Sequence, residues 1–214
     1  MFLVNKIQEL RNSPIKEVVE KRLSEFKAFE NKGSEEWFSE LCFCLLTANS
    51  RASSAIRIQD QIGAKGFIHS PQENIVHVIK LNKHRFPNNK GKFIVEARKF
   101  VNIKAIIKKL ISENAGEGEK FAREFLVENV KGLGYKESSH FLRNIGYTNL
   151  AILDRHILNL MVENNYIDEK PKTLNKKIYL EIEQRFNEIA KELDMSSAEL
   201  DLYMWYMKTG VVLK

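Results

Sequence analysis

The 214-residue sequence has only two cysteines and no apolar run close to the roughly 18 residues that a membrane-spanning helix requires. Cys42 and Cys44 stand in an apolar segment, a setting typical of buried thiols in a reducing compartment. This cysteine usage indicates neither a disulfide framework nor a zinc site. Residues 1–4 are too few for a signal peptide, so we expect a soluble, cytoplasmic protein.

The sequence also lacks the alternating apolar and polar pattern of strands, and its four prolines and ten glycines leave long segments uninterrupted. Ser196 and Glu199 form a capping box before the last apolar segment, and Gly210 supplies its end. We therefore predict an all-α fold. Helical spacing is clearest at Trp37, Phe38, Leu41, Cys42 and Leu45, at Ile103, Ile106, Ile107, Leu110 and Ile111, at Ile178, Ile182, Phe186, Ile189 and Leu193, and at Leu200, Tyr203, Met204 and Met207.

Basic residues exceed acidic ones, with 34 lysines and arginines against 28 aspartates and glutamates. The net charge of +6 and the isoelectric point near 9.2 favour a polyanionic partner such as a nucleic acid. An excess of this size also occurs in proteins with no such partner. The charge therefore only supports what the motifs indicate.

The segment Gly132-Leu133-Gly134-Tyr135-Lys136 predicts a tight turn between two helices, because glycine adopts positive φ without penalty. Backbone N–H groups exposed by Gly132 and Gly134 at a helix start would suit a DNA phosphate. In the first turn of that helix, burial and the helix dipole would favour the neutral, nucleophilic form of the Lys136 amine. The alternative is an ordinary turn with a solvated lysine.

A carboxylate follows the turn at Asp154, directly before an apolar helical face that begins at Ile157. This position predicts a helix N-cap, which would hold the carboxylate at the positive end of the helix. A simple capping role is the alternative, although a cap can also act in catalysis.

The hairpin with Lys136 and the following Asp154 resembles the helix-hairpin-helix DNA glycosylase superfamily. Leu45 to Ser50 is similar to the segment of endonuclease III-like members that inserts a residue into the duplex, and the tail Gly210 to Lys214 resembles the compact type-2 8-oxoguanine DNA glycosylase/AP lyases. Lys131 departs from this pattern, since many such hairpins carry proline there. The iron–sulfur cluster of endonuclease III-like relatives needs four cysteines, so we expect none here.

The resemblance implies two helical lobes with the DNA and the active site in the cleft between them. The terminal lobe would combine residues 1–35 and 165–214, and the middle lobe would span residues 36–164 with the hairpin at about 119–145. The whole chain would act as one catalytic unit, and a monomer suffices.

The implied reaction is excision of 8-oxoguanine from damaged double-stranded DNA after the nucleotide is flipped out. Lys136 would attack the sugar, Asp154 would stabilise the developing charge, and β-elimination from the Schiff base would cut the strand. This chemistry needs no metal or organic cofactor, although hairpins of this family often hold a monovalent cation. The alternatives are an endonuclease III-like glycosylase for other oxidised bases and a non-catalytic DNA-binding module.

Three residues are candidates for recognising the damaged base. The resemblance assigns Lys214 to this role, through its amine or its terminal carboxylate; a frayed terminus is the alternative. Trp205 lies off its helix's apolar stripe and could stack on a flipped purine or pack against another part of the chain. His140, one turn after Lys136, could form a pocket wall or be an ordinary surface residue.

The other candidates would contact DNA outside the base pocket. Asn49 matches the duplex-inserting position of the family, with a helix cap as the alternative. Arg85 and Phe86 could form a cation and an aromatic wedge, unless Phe86 is buried. His156 and the backbone of the two hairpin glycines are candidate phosphate contacts, and Arg155 is a further one.

Overall fold

A computed structural model describes residues 2–214, and the regular structure of this part of the chain is entirely helical. The all-α prediction is confirmed. The helices are α1 Phe2–Arg11, α2 Ile15–Phe29, α3 Ser34–Thr47, α4 Ala52–His69, α5 Gln72–Leu81, α6 Pro87–Ala97, α7 Ile103–Glu113, α8 Gly118–Asn129, α9 Tyr135–Asn144, α10 Arg155–Glu163, α11 Lys176–Glu192 and α12 Ser197–Thr209, with a 3₁₀ turn at Arg98–Phe100. No helix in residues 2–214 combines the length and apolar character needed to cross a membrane.

Helices α3 to α9 surround the first of two apolar cores. Helix α3 is its central element, since every residue from Trp37 to Thr47 is buried and the helix packs against α4, α6, α7 and α9. Such complete burial is typical of a helix that is apolar on most of its surface. Leu150 is the last residue of this core along the chain.

The second core joins α1, α2, α10, α11 and α12. Its residues include Leu3 and Ile7 near the amino terminus and Leu200 and Met204 in α12. Helix α10 belongs here, although the sequence analysis grouped it with the middle lobe. The reason is that its apolar face packs against α12, a long-range contact that sequence proximity to the hairpin does not reveal.

A buried ion pair connects the two cores. Arg123 on α8 donates two hydrogen bonds to the Glu183 carboxylate on α11, with N–O distances of 2.5 and 2.7 Å. The guanidinium also lies 5.1 Å from the ring centre of Tyr135 and 5.6 Å from that of Tyr179. A bidentate pair with aromatic neighbours is a geometry that arginine favours at buried positions.

The same groups hold the extended segment that leads from α9 into α10. The Ala151 N–H donates to Glu183 at 3.0 Å, and the Tyr179 hydroxyl donates to the Ala151 carbonyl at 2.7 Å. The Leu153 N–H donates to the Tyr179 oxygen at 3.3 Å. These bonds satisfy buried backbone groups outside regular structure and fix the position of the next residue, Asp154.

Candidate active site

The hairpin turn between α8 and α9 is exposed at both glycines. Gly132 has φ +95°, and a Cβ there would come within 2.5 Å of the Phe93 ring, so only glycine fits. Gly134 does not need the positive φ that the sequence analysis assigned to both glycines. Its φ is −104° with extended backbone, because it is the N-cap of α9 and its N–H faces Glu137 at 3.4 Å.

Lys136 lies in the first turn of α9, directly after the hairpin. Its side chain is 24% exposed, and Nζ is 3.3 Å from the Glu137 carboxylate. The amine is therefore accessible from solvent while most of its stem is covered. A nucleophile in a cleft needs this combination of access and restricted orientation.

Asp154 caps α10, as the sequence predicts. Its Oδ1 accepts hydrogen bonds from the N–H groups of His156 at 2.8 Å and Ile157 at 2.9 Å. One carboxylate oxygen is thus fixed by the helix, whereas Oδ2 has no such bond to the described chain. Half of the carboxylate can therefore face a reacting group without loss of the cap.

Asp201 connects the two candidate catalytic groups electrostatically. Burial raises the pKa of its carboxyl to about 6, while Arg143 opposes this rise, Asp154 adds to it and Lys136 lowers it. Lys136 and Asp154 therefore both act on the pKa of the same buried carboxyl. They come from separate helices, α9 and α10, which belong to different cores.

A chain of buried polar groups continues from Asp201 towards the carboxyl terminus. Arg143 donates to Asp201 and, at 2.9 and 3.1 Å, to the Asn144 side-chain oxygen. The Asn144 amide donates to Glu40 at 2.7 Å. Each side chain forms hydrogen bonds with the next one in this chain, and buried charges require such partners.

Lys214 ends this network on the far side of Glu40. Its amine donates to the Glu40 carboxylate at 2.9 Å and to the Gln59 side-chain oxygen at 2.6 Å, and it lies 4.2 Å from the centre of the Phe43 ring. The last residue of the chain is therefore docked. The bonds to Glu40 and Gln59 occupy the amine and leave the terminal carboxylate as the freer group.

His140 is buried, and the charges of Lys136 and Lys214 both act on its ring. Burial lowers its pKa well below 6.5, the cations Arg143, Lys136 and Lys214 lower it further, and an interaction with the Lys214 backbone opposes part of this lowering. Its ring meets Phe43 edge-on at 5.7 Å, and neither ring nitrogen has a hydrogen-bond partner in the described part of the chain. The surface alternative is wrong, since the residue is only 7% exposed.

Trp205 packs edge-on against His156, with 5.1 Å between the ring centres. Its buried indole N–H has no partner among residues 2–214. The His156 imidazole, a predicted phosphate contact, is therefore partly covered by the indole. Arg155 beside it is exposed.

The remaining DNA-binding candidates lie on two loops. Asn49 is exposed on the loop after α3, where its φ is +59°. Phe86 is 54% exposed before α6, so the buried alternative is wrong for this residue. The Arg85 guanidinium lies 5.5 Å from the Phe86 ring centre, which places a cation and an aromatic together on this surface.

Comparison with known proteins identifies the family. A family model described as 8-oxoguanine DNA glycosylase matches residues 19–195. The 8-oxoguanine DNA glycosylase/AP lyase of Methanocaldococcus jannaschii is 54% identical over 214 residues, with 100% of both chains covered. This chain belongs to the 8-oxoguanine DNA glycosylase family. The family assignment made from the hairpin, Asp154 and the tail is confirmed.

Solved structures of family members have the same fold. The M. jannaschii 8-oxoguanine glycosylase/lyase, crystallised with a 15mer DNA containing 8-oxoguanine, superposes with a TM-score of 0.95 at 54% identity and full coverage of both chains. The 8-oxoguanine DNA glycosylase of Thermotoga maritima gives a TM-score of 0.90 at 42% identity, with 99% of this chain and 98% of that chain covered. A helix-hairpin-helix glycosylase fold is therefore established for this family member.

The structure of this 8-oxoguanine glycosylase family member adds polar residues that the sequence analysis missed. A network of mostly buried polar side chains ends at Lys214, and its members are Glu40, Gln59, Arg143, Asn144 and Asp201. A charge inside an apolar run, such as Glu40 after Trp37 and Phe38, is a usable signal, since unpaired buried charge is strongly unfavourable. The individual roles assigned to the site residues stay predictions.

Proposed function

We propose that this chain excises 8-oxoguanine from duplex DNA and then cuts the strand at the abasic site, with Lys136 as nucleophile. The observation that supports this most directly is the placement of Lys136 in the first turn after the exposed hairpin, with the Asp154 carboxylate anchored as the N-cap of α10. Phosphate binding alone requires neither an amine nor a carboxylate at these positions. The names of the relatives support the same activity.

In the proposed reaction Nζ of Lys136 attacks C1′ of the flipped nucleotide as the bond to the base breaks, and a proton lost by the amine neutralises the departing base. The free oxygen of Asp154 stabilises the positive charge that develops on the sugar. Opening of the sugar ring gives a Schiff base between Nζ and C1′. The iminium acidifies the 2′ hydrogen, so its removal expels the 3′ phosphate by β-elimination.

The chain supplies the nucleophile and the charged groups of this reaction, so the proposal involves no metal or organic cofactor. A monovalent cation at the hairpin carbonyls stays a prediction. All the proposed groups come from one copy of the chain, which supports action as a monomer. A substrate in chromosomal DNA supports a cytoplasmic location.

Borohydride trapping on a duplex with one 8-oxoguanine opposite cytosine tests the proposal. We expect a covalent adduct on this duplex and none on the undamaged one, because reduction captures only the Schiff base. A matched duplex with an oxidised pyrimidine distinguishes the proposed function from that of an endonuclease III-like glycosylase. Adduct formation on that duplex alone would assign the chain a different substrate.

Asp154→Asn is expected to slow single-turnover excision by roughly 10²-fold or more while leaving folding and DNA affinity nearly unchanged. Asparagine is as good an N-cap as aspartate, so the bonds to the His156 and Ile157 N–H groups survive while the negative charge is lost. Thermal unfolding and filter binding provide the controls. Unchanged excision would show that Asp154 serves only as a cap.

We also propose that Lys214 reads the damaged base through its terminal carboxylate. The amine is engaged by Glu40 and Gln59, and the nearby His140 forms the adjoining wall. A carboxylate can accept the N7 hydrogen that 8-oxoguanine carries and guanine lacks, which gives a chemical basis for discrimination. Trp205, whose ring packs against His156, is proposed to stack on the flipped base.

Extension of the chain by one glycine after Lys214 is expected to lower the preference for 8-oxoguanine over guanine by roughly tenfold or more, an energy typical of one charged hydrogen bond. The added glycine leaves the side-chain amine of Lys214 in place and shifts the terminal carboxylate to the next residue. Lys214→Met does the reverse and should lower the preference less. Single-turnover excision of both bases measures the ratio, and the opposite order would assign recognition to the amine.

A further inference from the structure

Two exposed loops hold the residues proposed to enter the DNA, and both contain strained backbone. Asn49 on the loop after α3 has φ +59°, and Phe86 at the start of α6 has φ +57°. Side chains other than glycine rarely adopt this region, and such residues persist only where surrounding contacts impose the conformation. The contacts that impose it here come from two buried side chains, those of His84 and Lys90.

His84 connects the two loops through its ring. It is 6% exposed, its Nε2 lies 2.6 Å from the Leu46 carbonyl oxygen, and its Nδ1 lies 2.6 Å from the Arg85 carbonyl oxygen. Either tautomer donates to one of these oxygens, and the protonated ring donates to both. One imidazole therefore joins the end of α3, just before Asn49, to the residue just before Phe86.

Lys90, which follows Phe86 in the chain, also connects the start of α6 to the end of α3. It lies in the first turns of α6, is 5% exposed, and its Nζ donates to the Leu45 carbonyl at 2.6 Å. Burial, opposed by Glu137 and assisted by Lys136, lowers its pKa to about 8. The last carbonyls of a helix lack partners within the helix, which explains why this end of α3 forms hydrogen bonds with both side chains.

We propose that His84 and Lys90 are positioning residues that set the spacing between Asn49 and Phe86, so that the two loops enter the duplex together when a base is flipped. We call this pair the loop clamp. The inference rests on the proposed DNA repair function. It assigns a role in substrate distortion to two buried residues that contact neither the base nor the reacting sugar.

The competing explanation is that His84 and Lys90 only stabilise the carboxyl-terminal end of α3. It predicts that loss of His84 or Lys90 reduces stability and affects every activity equally. The loop clamp predicts a selective effect, because flipping is needed for a duplex substrate and not for an abasic site in single-stranded DNA. It also predicts that the clamp acts through Phe86.

The first test uses His84→Gln and Lys90→Met, with His77→Gln and Lys80→Met on the exposed side of α5 as matched controls. We expect each clamp variant to lower single-turnover excision from duplex DNA roughly tenfold, with less than about a threefold change in cleavage of a single-stranded abasic site. The controls should stay within about twofold. Circular dichroism verifies that each variant is folded, and equal losses on both substrates would overturn the proposal.

The second test separates the clamp from the repair activity. In a Lys136→Gln background, 2-aminopurine beside the lesion reports unstacking without chemistry, and we expect a smaller fluorescence rise for both clamp variants. Adding His84→Gln to Phe86→Ala should change this signal by less than about twofold, because coupled residues are not additive. Full additivity, or no effect of Phe86→Ala, would overturn the clamp. If the unsubstituted chain unstacked the lesion normally but excised no base, the proposed repair function would be overturned and the loop clamp would stand.

Discussion

Lys136→Gln is expected to abolish the borohydride adduct and to lower single-turnover excision of 8-oxoguanine by roughly 10³-fold or more. Glutamine has a similar length and can donate hydrogen bonds, yet it cannot form a Schiff base. Both strand cleavage and base release should therefore be lost together. DNA affinity should remain, since the hairpin backbone proposed to bind a phosphate is unchanged. Gel electrophoresis measures the trapped adduct, the strand cleavage and, after alkali treatment, the base release. Filter binding measures the DNA affinity.

Lys131→Gln is the matched control for this substitution. Lys131 lies on the same hairpin, but it is 61% exposed and its amine is 3.5 Å from the Glu96 carboxylate, away from the cleft. Its loss should weaken DNA binding slightly and leave the rate of excision at saturation unchanged. If Lys136→Gln still released the base at a normal rate, water would be the nucleophile and the chain would be a monofunctional glycosylase.

Local signals explain why the sequence predicts the hairpin and the start of α10 well. A glycine with φ +95°, a lysine in the following turn and an aspartate N-cap each depend on a few adjacent residues. Backbone sterics and helix capping act over this range. The error at Gly134 has the same origin, because a glycine can serve as an N-cap as well as in a left-handed turn.

Long-range pairing is what the sequence cannot reveal. Glu40 meets Lys214 at the other end of the chain, and Arg143 meets Asp201. Each of these residues looks like an isolated charge on a helix until the fold supplies its partner. The same limitation applies to α10, whose core depends on α12 and not on the adjacent hairpin.

The candidate catalytic pair depends on how the two cores are joined. Lys136 moves with α9 in the first core, whereas Asp154 begins α10 in the second. Arg123 and Glu183 fasten these cores, and Glu183 with Tyr179 fixes the segment before Asp154. Stability and catalytic geometry are therefore coupled at this ion pair.

Glu183→Gln is expected to destabilise the fold by about 3–5 kcal/mol, because it leaves the Arg123 guanidinium buried without a countercharge. Both side chains are nearly inaccessible, with 1% of Arg123 and 6% of Glu183 exposed. Urea denaturation followed by circular dichroism measures the free energy of unfolding. Excision should also slow at temperatures where the variant remains folded, since the hydrogen bond from the Ala151 N–H to the Glu183 carboxylate is weakened.

Lys177→Met provides the control on the same helix. Its side chain is 85% exposed and its amine lies 3.9 Å from the Glu181 carboxylate, a surface pair for which we expect a contribution of only about 0.3–0.5 kcal/mol. The double variant Arg123→Met with Glu183→Gln should recover part of the lost stability, because removal of the second charge eliminates the unpaired cation. If Glu183→Gln were no worse than Lys177→Met, the two cores would be held by their apolar contacts, and the ion pair would not determine where Asp154 stands relative to Lys136.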